Sequence, residues 1–419
     1  MAASLRKVLI AGGGIGGVAT ALCLKRLGVP FLLLEQAAAF GEIGAGIQLS
    51  PNVTRLLARL GVGDELARIA VRPEGLEIQS WRSAERILWT PLGAAAEARF
   101  GAPYFHAHRA DVLDLLVRAL GRDQVVFGAR VESFAQDADG VTVAIAGGAT
   151  HRGDVLVGAD GVHSVVRHQL FGDGAARYAG NVAWRGTMPA EAVAHLGVAR
   201  VSNNWWGPDR SVVRYFISAG RTLNWIGISR SATPTRESWS ALGTVEDALA
   251  EYAGWNPAIL AMIAATTRLY RMALYDRAPL DRWTDGRVAL TGDAAHAMLP
   301  YHAQGAAQSI EDAWVLAGCL ADQPGRPAVR WRATRRSAGR APTGCRPTPA
   351  RPRPCSTWPI RTPSPAATRA CARTCAATPT ASPRARSAST ATTPRTRCAR
   401  IRHAPADRRG APRTVSAVP

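Results

Sequence analysis

Residues 7–11, 30–34, 155–159 and 288–291 are short apolar runs, each leading into a glycine or an acid. Runs of this length and apolarity predict strands buried on both faces of a sheet. Between the first two, residues 15–27 place apolar side chains at helical spacing and stop at Gly28. Helical patterns recur at residues 53–60 and 112–120, the second preceded by His108-Arg109-Ala110-Asp111. Residues 76–87 alternate weakly, as one strand, and 125–127, 131–134 and 141–145 are strand-like. From about residue 180 the period changes to two. Residues 182–188, 201–206, 212–218 and 223–229 predict an antiparallel sheet with turns between its strands. Trp184, Trp205, Trp206 and Trp225 fall inside these runs and are assigned to sheet and core. Helical patterns return at 245–252 and from 305 to 320.

The opening stretch carries chemistry. Gly12, Gly14 and Gly17 form G-x-G-x-x-G between the first strand and the first helix. Gly12 permits the sharp turn, Gly14 lets backbone approach a pyrophosphate, and Gly17 lets the helix lie close on the strand. The helix N-terminus offers free N–H groups to phosphate. Glu35 closes the second strand, 18 residues after Gly17, where it would accept hydrogen bonds from a ribose. Strand, turn, helix, strand and acid in register point to a dinucleotide site.

Charge divides the chain of 419 residues unevenly. Its net charge is +20, and residues 326–419 hold 21 Arg and one Asp with neither Lys nor Glu, so that segment carries all of it. The remainder is a neutral body long enough for two domains. Cys23 and Cys319 are the body's cysteines, far apart and outside any CxxC, which fits a reducing, cytoplasmic setting. No signal peptide is visible and no apolar run is long enough for a bilayer, so stable membrane association is not expected.

Two further motifs stand in order after the first: Gly158-Ala159-Asp160-Gly161-Val162-His163-Ser164, and Gly292-Asp293-Ala294-Ala295-His296 with Pro300, running on to Gln304-Gly305. Together the three resemble the single-component flavin aromatic hydroxylases of the p-hydroxybenzoate and salicylate hydroxylase group, over residues 5 to about 325. The resemblance implies an α/β fold: a three-layer Rossmann-like FAD-binding domain, with an interleaved antiparallel-sheet substrate domain. The expected boundaries are 1–180 for the first part of the FAD domain, with strands inserted near 70–105, 181–280 for the substrate sheet, and 281–325 for the return to the FAD domain.

The same resemblance implies FAD, with NADH or NADPH as electron donor. Gly12, Gly14, Ile15, Gly16 and Gly17 would meet the pyrophosphate; Glu35 and Gln36 would meet the adenosine end. Val131 would contact adenine through its backbone, and Arg109, a cation before a helix, would pair with the pyrophosphate. Asp160 would help hold flavin and nicotinamide nucleotide, its alternative being an N-cap for a helix over 162–170. Asp293 follows a buried strand, at the carboxyl edge of the sheet, and would bind flavin hydroxyls. Gly305 opens a helix whose positive end would face the isoalloxazine ring. No metal site is expected.

The implied reaction is ring hydroxylation of a small aromatic substrate with dioxygen, in a pocket that excludes water. Here the sequence departs from its relatives. A histidine that often stands four residues before the central-strand tyrosine is Ser211, ahead of Tyr215, and another falls on Gln48. Tyr215, His302 and Gln304 are the candidates to touch substrate; Tyr215 or His302 would orient or deprotonate a phenol, and His296 is expected to be structural. A halogenase or flavin reductase on the same fold is the alternative, although the halogenase Trp-x-Trp-x-Ile-Pro signature is absent. Expected partners are the aromatic substrate and dioxygen, with a homodimer allowed and no nucleic acid.

Residues 326–419 hold 15 of the 27 prolines and almost no large aliphatics, so a disordered basic tail is expected. Natural basic arms mix Lys with Arg, and this one has no Lys. A shifted reading frame in a GC-rich gene accounts for it better. With each codon begun one base earlier and suitable synonymous codons, residues 357–362 become His-Leu-Ala-Asp-Pro-Asp, and 330–345 become an amphipathic helix. A terminal helix of that kind packs on the flavin domain in the family, so this tail is expected to leave an apolar face uncovered and to put activity at risk. Resequencing the gene tests the shift; one uninterrupted frame, confirmed on the protein, removes it.

Overall fold

The computed structural model describes residues 7–41, 45–172, 174, 176–231 and 241–322. The Arg/Pro-rich segment and its expected disorder lie outside the described residues. β1 (Val8–Ala11) leads through the glycine turn into α1 (Ile15–Arg26) and β2 (Phe31–Leu34). β3 (Gly46–Leu49), α2 (Pro51–Arg59) and α3 (Gly63–Ile69) follow, then β4 (Gly75–Ser80), β5 (Arg86–Pro91), α4 (Gly93–Phe100), β6 (Phe105–His108) and α5 (Arg109–Leu120). Next come β7 (Val125–Val126), β8 (Val131–Gln136), β9 (Val141–Ile145), β10 (Thr150–Gly153), β11 (Val155–Gly158) and α6 (Val165–Phe171). β12 (Arg177–Pro189), β13 (Ser202–Gly207), β14 (Arg210–Ile217) and β15 (Thr222–Arg230) precede α7 (Val245–Glu251), α8 (Pro257–Ala264) and β16 (Arg268–Asp276). β17 (Thr284–Asp285), β18 (Val288–Leu290), α9 (Asp293–His296) and α10 (Gly305–Asp322) complete the described chain.

The four apolar runs meet in one sheet. Its order is β17-β18-β11-β1-β2-β7, parallel except for the short β17–β18 pair. Every residue of β1, β11 and β18 is buried, as a sheet covered on both faces requires. α1, α5 and α10 cover one face through Val18, Leu22, Leu116 and Ile310, whereas Phe134 and Val143 of the three-stranded β10-β9-β8 sheet cover the other. This gives the three layers expected.

A seven-stranded sheet, β16-β12-β15-β14-β13-β4-β5, forms the second body of structure. It is antiparallel except where β4 runs parallel to β13. Its period-two alternation assigns each face. Trp184, Trp205 and Trp225 point to one side, where they pack with Tyr252, Trp255 and Ile259 of the α7–α8 region. Trp206 is 42% exposed. The other side carries Tyr215 and Asn224, cross-strand neighbours, and looks toward the two-stranded β3–β6 ribbon.

Three local expectations are corrected. Residues 76–87 form a hairpin and not one strand, because the chain turns at 81–85 with Ala84 at φ 61° and the Ser80 N–H bonded to the Glu85 carbonyl. Arg109 is the first residue of α5 rather than a residue before it. The helix after Asp160 starts at Val165, and its N-cap is Ser164, whose hydroxyl accepts from the Arg167 N–H at 2.9 Å.

Candidate active site

The glycine turn has the shape a dinucleotide needs. A Cβ on Gly17 would stand 1.9 Å from the Gly12 carbonyl oxygen, and one on Gly12 would stand 2.5 Å from the Ala159 carbonyl oxygen. Both glycines are therefore required by backbone contact. At Gly14 the Cβ position meets nothing within 4 Å, and α1 begins there without a side-chain cap. Open space over uncapped N–H groups suits a phosphate. Glu35 is pre-aligned: Oε2 accepts from the Gly13 N–H at 2.6 Å and Oε1 from the Ala37 N–H at 2.7 Å. The carboxylate keeps lone pairs for a ribose diol. Gln36 lies exposed just beyond it. Ala129 N–H donates to the Glu35 carbonyl at 2.8 Å, which brings the strand start at Val131 to the same edge.

The later motifs converge on the same edge. Asp160 abuts Gly12 through backbone, and its carboxylate accepts from the Ser164 hydroxyl at 2.5 Å and the Val166 N–H at 3.1 Å. Burial raises its pKa, and the Ser164 and backbone hydrogen bonds oppose that rise. Asp160 thus holds the turn into α6 even though Ser164 is the cap. Arg167 from α6 is buried and donates to the carbonyls of Ala294 and Ala278, at 3.4 and 3.5 Å, linking the second motif to the third. Asp293 is exposed at the start of α9. Gly292, at φ 59°, and Gly16 both face Ser309 of α10, at 2.8 and 3.3 Å from their Cβ positions. The N-termini of α1 and α10 are thereby brought side by side, and Gly305 opens α10. Arg109 is half-buried at the start of α5. The residues fit FAD: a cradle without side chains, a ribose acid and two converging helix N-termini.

β3 joins this edge to the seven-stranded sheet. Tyr215 is 1% exposed and lies under Gly46, whose Cβ position is 2.6 Å from its ring. The Gly46 N–H donates to Asn224 Oδ1 at 2.8 Å. His106 packs on Tyr215 with ring centroids 4.4 Å apart, and Gln48 Oε1 accepts from the Tyr104 hydroxyl at 2.6 Å. Burial pushes the Tyr215 hydroxyl well above its usual range, so this phenol keeps its proton. Burial pushes His106 down to about 3, so its imidazole is neutral. Two deeply buried polar atoms flank Tyr215 without a hydrogen-bond partner, His106 Nε2 and Asn224 Nδ2.

Gln304 is reached from the same strand. Its Nε2 donates to Ser50 Oγ at 3.0 Å, and its Oε1 accepts from Asn52 Nδ2 at 3.3 Å. Ser50 directly follows β3 and occupies the N-cap position of α2 without a side-chain cap bond. Glu311, on α10, extends this chain through Asn52 and Gln308, and burial raises its pKa. His302 is exposed on the turn Pro300–His302, and Ala303 after it holds a left-handed φ of 51°. His296 is bonded to Asp312 of α10. Tyr104, His106 and Asn224 carry no motif; only the placement of Tyr104 just before β6, His106 on β6 and Asn224 on β15 brings them to Tyr215.

A family model described as an FAD binding domain matches residues 6–343. The chain belongs to this FAD-binding family. 3-Amino-4-hydroxybenzoate 2-monooxygenase of Streptomyces platensis is 39% identical over 77% of this chain and 82% of its own. 6-Hydroxynicotinate 3-monooxygenase of Bordetella bronchiseptica is 35% identical over 74% and 81%. Among solved structures, Klebsiella pneumoniae HpxO complexed with FAD and uric acid superposes with a TM-score of 0.72 at 30% identity, over 78% of this chain and 83% of that one. The protein is thus an FAD-dependent aromatic-ring monooxygenase. Among the described residues of this monooxygenase no helix is long and apolar enough to cross a membrane, and no His/Cys/Asp/Glu group could hold a metal.

Proposed function

We infer that the monooxygenase hydroxylates a small, already hydroxylated aromatic acid of the hydroxybenzoate or hydroxynicotinate kind, with NADH or NADPH as donor, in the cytoplasm. One observation carries the reading: a buried polar wall, Tyr215 flanked by His106 Nε2 and the Asn224 amide, held directly against β3 at the flavin edge. Unpaired buried polar atoms are costly, by about 1–3 kcal/mol each, and a substrate hydroxyl would relieve that cost.

FAD, when bound, supplies the two-electron chemistry that activates dioxygen for transfer to the ring. The protein's share is placement. Tyr215, protonated throughout the working range, orients a substrate oxygen by hydrogen bonding and is not the base. His302, on the loop leading into α10, is the candidate to take the substrate phenol's proton. Gln304, its amide fixed at both ends by Ser50 and Asn52, presents a set edge to the ring. Gly12, Gly14, Ile15, Gly16 and Gly17 with Arg109 would hold the pyrophosphate, Glu35, Gln36 and Val131 the adenosine end, Asp160 and Asp293 the flavin side. Gly305 would aim the positive end of α10 at the ring system, favouring its reduced, negatively charged form.

The test is direct. The purified chain should be yellow, and one hydroxylated aromatic acid should stimulate its NAD(P)H oxidation, with a product one oxygen heavier by mass spectrometry. Stimulated oxidation that yields only peroxide for every acid tried would overturn the reading.

A further inference from the structure

The β14–β15 hairpin carries Tyr215 on one strand and Asn224 on the other, and it turns at Ser218–Gly220. Ser218 and Ala219 both hold left-handed backbone, at φ 50° and 56°, with Gly220 at 91° after them. Among the described residues they are the one pair of adjacent non-glycine residues in that region of backbone. The Arg221 N–H donates to the Ser218 carbonyl at 3.2 Å and closes a tight turn with Ala219 and Gly220 at its centre. Asn-Gly suits such a centre, because Asn tolerates the left-handed form. Ala219 lacks that tolerance and Ser218 is left-handed besides, so the conformation is held from outside the hairpin. The turn packs on α3 and β6. The Ser218 hydroxyl donates to Asp111 Oδ2 at 3.1 Å, and Asp111 Oδ1 stands 3.3 Å from His108 Nδ1. His108 pairs with Gly46 across the β6–β3 ribbon, and the Gly46 N–H donates to Asn224 Oδ1. These contacts close a ring that runs from the turn through α5, β6 and β3 and back to the hairpin.

We propose that Ser218 and Asp111 are positioning residues of the monooxygenase: their hydrogen bond holds the strained turn on α5 and so sets Tyr215 and Asn224 against β3 at the flavin edge. Asp111 lies in the first turn of α5, two residues after Arg109, so the latch ties the pocket wall to the segment expected at the pyrophosphate. Neither residue touches substrate in this role; each acts through the hairpin. Backbone held against its own preference relaxes when its holder is removed. Without the Ser218 bond the end of the hairpin moves off α5, and the wall moves with it. A ring that the wall no longer aligns is a poor acceptor of oxygen. The electrons of the donor then go to dioxygen alone: NAD(P)H, a proton and O2 give NAD(P)+ and H2O2. The inference rests on the reading above of Tyr215 and Asn224 as the substrate wall.

The experiment uses the full chain loaded with FAD and follows hydrogen–deuterium exchange across residues 215–224, with β1 and α1 as the internal reference. Ser218→Gly removes the hydroxyl, and glycine accepts a φ of 50°, so the variant should fold. Exchange across 215–224 should quicken about fivefold or more, the contribution of one hydrogen bond, while β1 and α1 stay within about twofold. Ala219→Gly relaxes the turn but keeps the hydroxyl, and should stay within about twofold of wild type throughout. Ser218→Asn tolerates the left-handed φ and restores an N–H donor, so it should recover part of the loss. Turnover is read with 3-hydroxybenzoate, 4-hydroxybenzoate and 6-hydroxynicotinate. Ser218→Gly should keep NAD(P)H oxidation within about threefold, while hydroxylated product per NAD(P)H falls about fivefold and peroxide takes its place. Unchanged exchange across 215–224 in both Ser218→Gly and Asp111→Ala overturns the proposal, as does equal acceleration in β1 and α1. An Ala219→Gly that exchanges as fast as Ser218→Gly assigns the effect to the turn backbone and overturns the latch. Faster exchange with full coupling reduces the bond to a structural one and overturns the positioning role. If none of the three acids is hydroxylated by the wild type, the aromatic-acid reading falls, and the exchange comparison, which needs no substrate, alone decides the latch.

Discussion

His296 Nε2 stands 2.6 Å from Asp312 Oδ2, the same oxygen that accepts from the Gly292 N–H at 3.0 Å and the Thr291 hydroxyl at 3.3 Å. One carboxylate oxygen of α10 therefore fastens the whole turn that follows β18, and Trp283 covers the imidazole with ring centroids 5.0 Å apart. The turn carries Asp293, and the helix presents Gly305, so the pair fixes the relative position of two expected flavin contacts.

Asp312→Ala should cost about 3–5 kcal/mol, because it leaves buried donors without their acceptor. The pairing should also leave a pH signature. Burial alone would lower the His296 pKa, but the hydrogen bond and charge of Asp312, with Asp293 nearby, raise it above its ordinary 6.5. A raised histidine adds stability that is complete below the unfolded value and is lost as pH climbs through the folded one. The melting-temperature advantage of wild type over His296→Gln should therefore shrink from pH 6 to pH 9. A gap that is constant across that range would show that charge is not involved.

Two alanine substitutions in the glycine turn should fail for different reasons. Gly17→Ala places a Cβ 1.9 Å from a backbone oxygen, so it should unfold or fail to accumulate. Gly14→Ala meets no protein atom within 4 Å and needs no unusual φ, since Gly14 is at −71°. It should melt within about 0.5 kcal/mol of wild type as apoprotein yet bind FAD at least about tenfold more weakly by flavin fluorescence, for want of space at the pyrophosphate. Wild-type FAD affinity in Gly14→Ala would place the phosphate elsewhere.

The dinucleotide edge was legible because its signals are local. Apolar runs too short for helices, glycines at fixed spacing and an acid at a strand end determine backbone geometry within about 30 residues. The Trp-bearing strands were legible for the same reason, through period two. The pocket was not. Tyr104, His106 and Asn224 are ordinary polar residues until β6 pairs with β3, 56–62 residues away, and the ribbon closes on β15 through Gly46 and Asn224, 178 residues apart. β16 was missed because Arg268, Tyr270 and Arg271 interrupt its apolar pattern, and β3 because four residues, one Gly and one Gln among them, are too few to show a period. The single strand expected over 76–87 failed at a tight turn carried by Ala84, a residue with no turn preference.

Tyr215 separates orientation from proton transfer. Its hydroxyl is held protonated by burial, so it contributes no titration to catalysis near neutrality. Tyr215→Phe should lower kcat/KM about 10- to 100-fold, the loss of one hydrogen bond in a dry pocket, while FAD content and the shape of the pH–rate profile stay unchanged. A profile that loses a limb in Tyr215→Phe would assign it the proton after all.

His106 offers the opposite pH signature to His296. It is 1% exposed, stacked on Tyr215 and lowered to about 3 by burial. An unfolded chain protonates this imidazole near 6.5, but the folded one resists until far lower pH. Stability is therefore complete above 6.5 and falls as pH drops toward the folded value, by roughly 1 kcal/mol for each pH unit in between. His106→Phe keeps a flat ring of similar size against Tyr215 and removes both the titration and the unpartnered nitrogen. It should be at least as stable as wild type at pH 7.5, and its acid unfolding midpoint should lie lower. Its affinity for the aromatic acid should nevertheless fall, because the imidazole would otherwise meet the ring hydroxyl. Acid titration by circular dichroism and ligand titration by flavin absorbance read the two effects separately. A variant that gains acid stability and keeps full ligand affinity would show that His106 only packs the pocket wall.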